Sequence, residues 1–246
     1  MLNEPTLEKL KALGLGAMAA AWLEQQKQPD IAQLSFDERF GLLLDAEWLD
    51  RENRRLTRRL QEAKLKLGQA CVEDIDYPAR RELDKAIVRQ LSTCRWVEEH
   101  QNVIITGATG TGKTYLACAL AQQACRKGYR SLYRRASRLF QELALARADG
   151  TYPRVLARIA RIDVLVIDDW ALSAVREPER QDLNEIMEDR HGLRSTVFTS
   201  QLPVAKWHDY LGDPTVADAI LDRATSVAYR LALKGPSRRK PPEAEK

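Results

Sequence analysis

The sequence has no hydrophobic run long enough to cross a membrane. The continuous apolar run at residues 164–167, for example, has only four residues, whereas a transmembrane helix needs about 20 apolar residues. The first residues include acidic side chains and lack a basic segment followed by an apolar core, so we expect no secretory signal there. We therefore expect a cytoplasmic protein with no membrane partner.

Cysteine and histidine are scarce. The four cysteines form no Cys-x-x-Cys pair and the three histidines are scattered, so their spacing favours neither a disulfide framework nor a zinc site. Hydrophobic residues reach 44% and charged residues 30%, which favours a globular protein with a sizeable core. The net charge is only +4, but 27 of the 39 basic residues are arginine, the side chain that pairs with phosphate through two parallel hydrogen bonds.

Basic charge concentrates in residues 51–66, which hold seven basic and two acidic side chains. Helical periodicity places five arginines on one face and leucines on the opposite face. These arginines, called here the arginine stripe, are Arg51, Arg54, Arg55, Arg58 and Arg59. The stripe predicts salt-dependent binding to the phosphates of duplex DNA with little sequence preference. A solvated helix face is the alternative interpretation.

The composition predicts four regions along the chain. Residues 1–70 have helical patterns and few β-branched residues, which favours a small all-helical N-terminal domain for contact with DNA or a partner. Residues 71–101 form a connector, residues 102–234 an α/β domain, and residues 235–246 a basic, proline-rich tail that we expect to be flexible.

Short β-branched or aliphatic runs alternate with helical patterns after residue 101. The predicted strands cover residues 103–106, 131–133, 164–167, 195–199 and 227–231. Strands that alternate with helices indicate a mainly parallel sheet with helices on both faces.

One loop of this sheet matches the phosphate-binding pattern G-x-x-x-x-G-K-[ST], after a strand and before a helix. Its residues are Gly107, Ala108, Thr109, Gly110, Thr111, Gly112, Lys113 and Thr114. Glycines let the backbone wrap a phosphate, and the helix N-terminus favours the anion. We expect Lys113 to contact the β- and γ-phosphates of ATP and Thr114 to bind Mg²⁺.

A second buried strand ends in two acids, about fifty residues after the loop. The first acid, Asp168, is predicted to hold Mg²⁺ together with Thr114. The second, Asp169, stands where an ATPase places the carboxylate that polarises the attacking water.

Together these motifs resemble those of AAA+ ATPases. Gln201 then corresponds to the family's sensor 1 residue, just after a strand. Arg223 corresponds to the arginine finger that reaches the γ-phosphate of a neighbouring subunit, with Arg230 as the rival candidate. The alternative interpretation is that Arg223 pairs with Asp218 or Asp222 on its own helix. Arg239 stands in a sensor-2-like position, although the chain after residue 233 is too short for most AAA+ lids.

An ordered set of blocks narrows the resemblance to the IstB family, which is related to DnaC helicase loaders. The blocks are residues 34–39, 42–48, 51–56, 74–77, 94–96, 107–114, 167–170 and 199–203. The resemblance implies an ATPase that self-associates, assembles on duplex DNA without sequence preference and works with a transposase. A replicative helicase loader and a small-molecule kinase are the alternatives.

Overall fold

The computed structural model describes residues 4–78 and 81–238. It contains two compact units, Met1–Arg58 and Arg59–Lys246. The division falls inside one long helix, between two arginines of the stripe. Within the described residues, no helix combines the length and the apolar character that crossing a membrane requires.

The first unit is helical, as its sequence predicts. Its elements are α1 (Glu4–Ala12), α2 (Gly16–Gln25), a 3-10 turn (Pro29–Gln33) and the first part of α3 (Phe36–Ala63). Ser35 and Glu38 form a capping box, because each side chain accepts a hydrogen bond from the other residue's backbone N–H. The buried carboxylate of Glu47 accepts the backbone N–H groups of Ala17 and Met18, which open α2.

The second unit is built on a parallel sheet. Its strands are β1 (Asn102–Gly107), β2 (Ser131–Arg135), β3 (Val164–Trp170), β4 (Ser195–Ser200) and β5 (Ala228–Leu233). They lie in the order β2-β3-β4-β1-β5, and every pair is parallel. The aliphatic residues of β1 and β3 are buried on both faces of the sheet, which explains their continuous hydrophobic runs.

Helices cover both faces of this sheet. They are α4 (Lys85–Ser92), α5 (Arg95–Glu98), α6 (Lys113–Arg126), α7 (Ala136–Ala148), α8 (Tyr152–Ala160), α9 (Glu177–Arg190), α10 (Trp207–Leu211) and α11 (Pro214–Thr225). The predicted alternation of strands and helices is thus confirmed. Helix α4 begins at Lys85 because the side chain of Asp84 caps it by accepting the backbone N–H of Ala86.

Two buried clusters, one on each side of the sheet, fix the strand ends. One contains Trp96, whose indole N–H donates to the carbonyl of Leu91. The other contains Trp170 at the end of β3, which packs edge-on against Phe198 and Trp207. The second cluster anchors the chain directly after the two acids of β3.

Candidate nucleotide site

The phosphate loop joins the end of β1 to the start of α6, in the context predicted from the sequence. Gly107 has a φ of +148°, and a Cβ there would lie 2.4 Å from the carbonyl oxygen of Leu233. Gly112 has a φ of +93° and stands directly before α6. Both positions therefore require glycine, and the loop presents the N-terminus of a fourteen-residue helix to the space above it.

Lys113 is buried and lies inside the loop. Its Nζ donates to the carbonyl oxygens of Gly107 and Ala108, at 2.7 and 2.8 Å. Thr111 also donates to the carbonyl of Ala108. These contacts hold the loop in a closed turn around the ammonium group. In this position the ammonium group can bind an anion at the N-terminus of α6.

Asp168 is completely buried, and three hydroxyl groups donate to its carboxylate. The distances are 2.9 Å from Thr114 Oγ1, 2.5 Å from Thr199 Oγ1 and 2.6 Å from Tyr133 Oη. Burial and the hydrogen bond to Asp168 raise the pKa of Tyr133, so the phenol stays a donor. These contacts fix the orientation of the carboxylate beside the phosphate loop.

The pairing of Thr114 with Asp168 brings together the two side chains predicted to hold Mg²⁺. A hydroxyl and a carboxylate oxygen are the hard ligands that Mg²⁺ prefers, and nucleotide sites commonly supply one or two protein ligands and leave the others to phosphate and water. The described residues contain no cluster of three or more His, Cys, Asp or Glu side chains suited to a metal. The Thr114 hydroxyl and the Asp168 carboxylate fit Mg²⁺ held jointly with phosphates.

The backbone of Asp169 is left-handed, with a φ of +57°. The register between β3 and β4 shifts at this point. The Asp169 carboxylate lies 2.7 Å from both Nε and Nη2 of Arg135 at the end of β2, and this contact raises the pKa of Arg135. In this arrangement Asp169 is paired with a cation, so an approaching water would compete with Arg135 for the carboxylate.

The predicted sensor residue Gln201 contacts the phosphate loop, since its Oε1 accepts the hydroxyl of Thr109 at 2.8 Å. The residue of β4 that touches Asp168 is instead Thr199, whose Oγ1 also accepts the backbone N–H of Asp169. Sequence reasoning missed Thr199, Tyr133 and Arg135. The signal was available, because polar residues near the carboxyl ends of parallel strands meet at one edge of the sheet.

A cavity of about 520 Å³ lies over the phosphate loop, with five cationic and three acidic side chains in its lining. The cations are Lys66, Arg81, Lys113, Arg135 and Arg238. Lys66 Nζ is 3.9 Å from the Asp168 carboxylate. The excess of positive charge suits an anionic ligand.

The start of the tail crosses the phosphate loop, although the sequence predicts flexibility there. The backbone N–H of Arg238 donates to the carbonyl of Gly110, and its guanidinium lies 2.6 Å from Asp76. Ser237 packs against Gly110. Arg238 therefore lines the cavity, and Arg239 lies outside the described residues.

Arg223 lies near the amino-terminal end of β1, whereas the phosphate loop follows the carboxyl-terminal end of this strand. It stands near the end of α11, and its carbonyl accepts the side-chain amide of Asn102, the first residue of β1. Its guanidinium donates to the carbonyl of Ala219 and is 3.7 Å from Glu188. Arg230, the rival candidate, lies on the edge strand β5 and donates to the carbonyl of Thr225.

The arginine stripe lies along α3, and acids of the same helix pair with part of it. Arg51 pairs with Glu47 at 2.8 Å, Arg54 with Asp50 at 2.5 Å and Arg55 with Glu52 at 2.5 Å. The pairs of Arg54 and Arg55 are exposed and therefore weak, so they leave these two guanidinium groups available to phosphates, whereas Arg51 is held by the buried carboxylate of Glu47. The pair with Arg51 also lowers the pKa of Glu47.

Comparison with known sequences gives matches over almost the whole chain. A family model described as IstB-like ATP binding protein matches residues 8–245. The insertion sequence ATP-binding protein y4pL of Sinorhizobium fredii is 48% identical over 240 residues, which are 98% of each chain. The IS1162 ATP-binding protein of Pseudomonas fluorescens is 48% identical over 203 residues, or 82% of this chain and 88% of the relative.

Solved structures share the fold at lower sequence identity. The crystal structure of DnaI has a TM-score of 0.60 at 24% identity and covers 74% of this chain and 100% of its own. The DnaC helicase loader has a TM-score of 0.57 at 20% identity and covers 67% and 97%. Replication initiator DnaA, bound to AMPPCP and single-stranded DNA, has a TM-score of 0.56 at 19% identity and covers 68% and 50%. The predicted AAA+ fold is confirmed.

Proposed function

Because the chain belongs to the family of IstB-like ATP-binding proteins, we propose that it binds and hydrolyses ATP as a helper of DNA transposition. The observation that carries this proposal is the contact between Thr114 of the phosphate loop and the buried Asp168, beside the Lys113 ammonium. The insertion-sequence names of the full-length relatives favour transposition over the loading of a replicative helicase.

The chain's own residues have separate tasks in this reaction. Lys113 exchanges the carbonyls of Gly107 and Ala108 for the β- and γ-phosphates. Asp169 accepts a proton from the attacking water after it leaves Arg135. Thr199 holds Asp168 in place and Gln201 positions Thr109 of the loop. A Mg²⁺ ion held by Thr114 and Asp168 would neutralise charge on the phosphates.

Arg223 completes the site of a neighbouring subunit in this proposal. Its backbone is held at the first residue of β1, whereas the phosphate loop begins at the last. These ends are about 16 Å apart, at about 3.3 Å per residue, so Arg223 of the same chain is badly placed to reach its own γ-phosphate. A finger supplied by a second copy stabilises the charge of the transition state and makes self-association a condition of hydrolysis.

Duplex DNA is the surface on which the copies gather. The arginine stripe supplies contacts to phosphates, which carry no sequence information. Binding to one duplex raises the local concentration of subunits and thereby favours the shared active sites. The assembled protein then recruits or stimulates the cognate transposase.

Mixing two inactive variants tests this proposal. Asp169→Asn keeps ATP binding and loses about 10²-fold or more in hydrolysis, because it lacks the proton acceptor. Arg223→Ala also binds ATP and loses most hydrolysis. An equal mixture, measured on duplex DNA, is expected to regain activity above the sum of the two variants, since each contributes the half-site that the other lacks.

Arg230→Ala serves as the matched control in the same mixtures. Rescue with Arg230→Ala and not with Arg223→Ala would move the finger to β5. A mixture no more active than its components would contradict a shared site. Wild-type protein that binds no ATP would contradict the proposed function itself.

A further inference from the structure

Arg81 is a buried cation of the cavity, and one edge of its guanidinium lacks partners among the described residues. Only 3% of its surface is exposed, yet its Nε and Nη2 have no hydrogen-bond acceptor there. Its Nη1 donates to the backbone carbonyl of Asp76 at 2.8 Å. A buried polar group without a partner costs free energy, so this arrangement needs a reason.

Arg190, a second buried arginine among the described residues of the same unit, shows what structural use of a guanidinium involves. Arg190 is 1% exposed, and its nitrogens donate to the carbonyls of Ile159, Ile162 and Ser195 and to the hydroxyl of Thr196. Arg190 joins strand ends and loops through these bonds. Arg81 makes one such bond and keeps a whole edge of its guanidinium unused.

The unused edge faces the phosphate loop. A Cβ built on Gly112 would lie 2.8 Å from Nη2 of Arg81, and Gly112 stands directly before α6. Nε and Nη2 form the edge of a guanidinium that can donate two parallel hydrogen bonds to two oxygens of one phosphate or carboxylate. The nearby carboxylate of Asp76 pairs with Arg238 instead.

We infer that the Nε and Nη2 edge of Arg81 binds a phosphate group of the nucleotide, beside the N-terminus of α6. This inference rests on the proposed function, because it requires the cavity to take a nucleotide. Burial and the neighbouring Arg238 lower the pKa of Arg81, while the carboxylate of Asp76 acts in the opposite direction. An arginine that reads the adenine base or the ribose is the alternative that the test distinguishes.

The test compares Arg81→Gln with Arg89→Gln, an exposed arginine on α4, in the full-length protein. Calorimetry measures the affinities for ATP, inorganic tripolyphosphate and adenosine, and a thermal melt measures stability without ligand. Arg81→Gln is expected to weaken ATP and tripolyphosphate by about tenfold or more, since charge-assisted hydrogen bonds are lost. Adenosine binding and the ligand-free melting temperature are expected to stay at or above the wild-type values, and Arg89→Gln to change none of these.

Arg81→Lys gives a second measurement if the glutamine variant does not fold. Lysine keeps the positive charge but cannot form two parallel hydrogen bonds to one phosphate. We therefore expect the affinity of Arg81→Lys for tripolyphosphate to lie between the affinities of wild type and Arg81→Gln. If only the lysine variant folds, its affinity should be below that of wild type.

A lowered melting temperature with unchanged ATP affinity would make Arg81 a structural residue and overturn the inference. Equal losses for adenosine and ATP would assign it to the nucleoside. If wild-type protein binds ATP and both variants match it, the inference fails alone; if wild type binds no ATP, the proposed function fails with it.

Discussion

The two units bury their side chains very differently. In the described part of Met1–Arg58, the buried side chains are Met18, Ala19 and Glu47. Large apolar side chains of the same unit are exposed, including Phe36 at 69% and Trp48 at 61%. The second unit has two extensive buried clusters instead, with tryptophans that are almost completely enclosed.

This difference separates the residues that hold the fold from those that face outward. In the second unit, buried strands fix where each polar strand end lies, which is how Thr199 and Tyr133 come to meet on Asp168. In the first unit, charge and apolar surface stand on exposed helix faces. Substitutions in the second unit should therefore change stability or chemistry, whereas those in the first should change mainly association.

The largest effect is expected from Trp96→Ala in the second unit. Trp96 is 1% exposed, and its indole N–H donates to the carbonyl of Leu91. Its removal leaves a cavity and takes away one of the donors to the Leu91 carbonyl, which should lower the free energy of unfolding by about 3–5 kcal/mol. Urea denaturation followed by circular dichroism measures this loss. A loss below about 1 kcal/mol would be outside the range for a buried tryptophan and would contradict the enclosed core around α5.

An intermediate effect is expected on DNA binding when the arginine stripe is neutralised. Arg54, Arg55 and Arg58 changed together to Gln remove three positive charges and leave Asp50 and Glu52 without their partners on α3. The slope of log affinity against log salt should become shallower by up to about 0.9 for each DNA phosphate that the variant no longer neutralises. Titrations on two unrelated duplexes measure both slopes, and thermal stability should stay close to that of wild type.

Arg154, Arg158 and Arg161 changed to Gln provide the matched control, because they also lie exposed in and just after one helix, α8. An equal loss in this control would mean that total charge drives binding. A loss on only one of the two duplexes would mean that the stripe reads bases. Either result would remove the stripe from its proposed role.

The sequence was sufficient to predict the sheet, the phosphate loop and the acids of β3, since each is a local pattern with a fixed physical cause. A run of aliphatic residues marks a buried strand, and a glycine-rich loop before a helix marks a phosphate site. The partners of those acids were not predicted. Tyr133 and Arg135 come from β2 and Thr199 from β4, and only strand order and register bring them to β3.

The connector and the tail were the least predictable parts of the site. Arg81 and Arg238 stand in segments without periodicity, and both reach the phosphate loop through contacts between residues far apart in sequence. The backbone N–H of Lys234 donates to the carbonyl of Arg81, and that of Arg238 to Gly110. A proline-rich composition predicts flexibility on average. It cannot predict hydrogen bonds between single residues of the tail and a loop that is distant in sequence.

The smallest effect is expected from Trp48→Ala in the first unit, the counterpart of Trp96→Ala. Trp48 is 61% exposed on α3 and has an apolar neighbour, Leu44, one turn away that is also exposed. Truncation removes little buried area, and alanine is the better helix former by several tenths of a kcal/mol, so the two terms oppose each other. The free energy of unfolding should change by no more than about 0.5 kcal/mol, measured in urea at low protein concentration. A loss above about 2 kcal/mol that grew with protein concentration would be well beyond that surface range. It would mean that a second copy of the chain covers Trp48 in solution. The difference in burial between the two units would then hold only for the single chain.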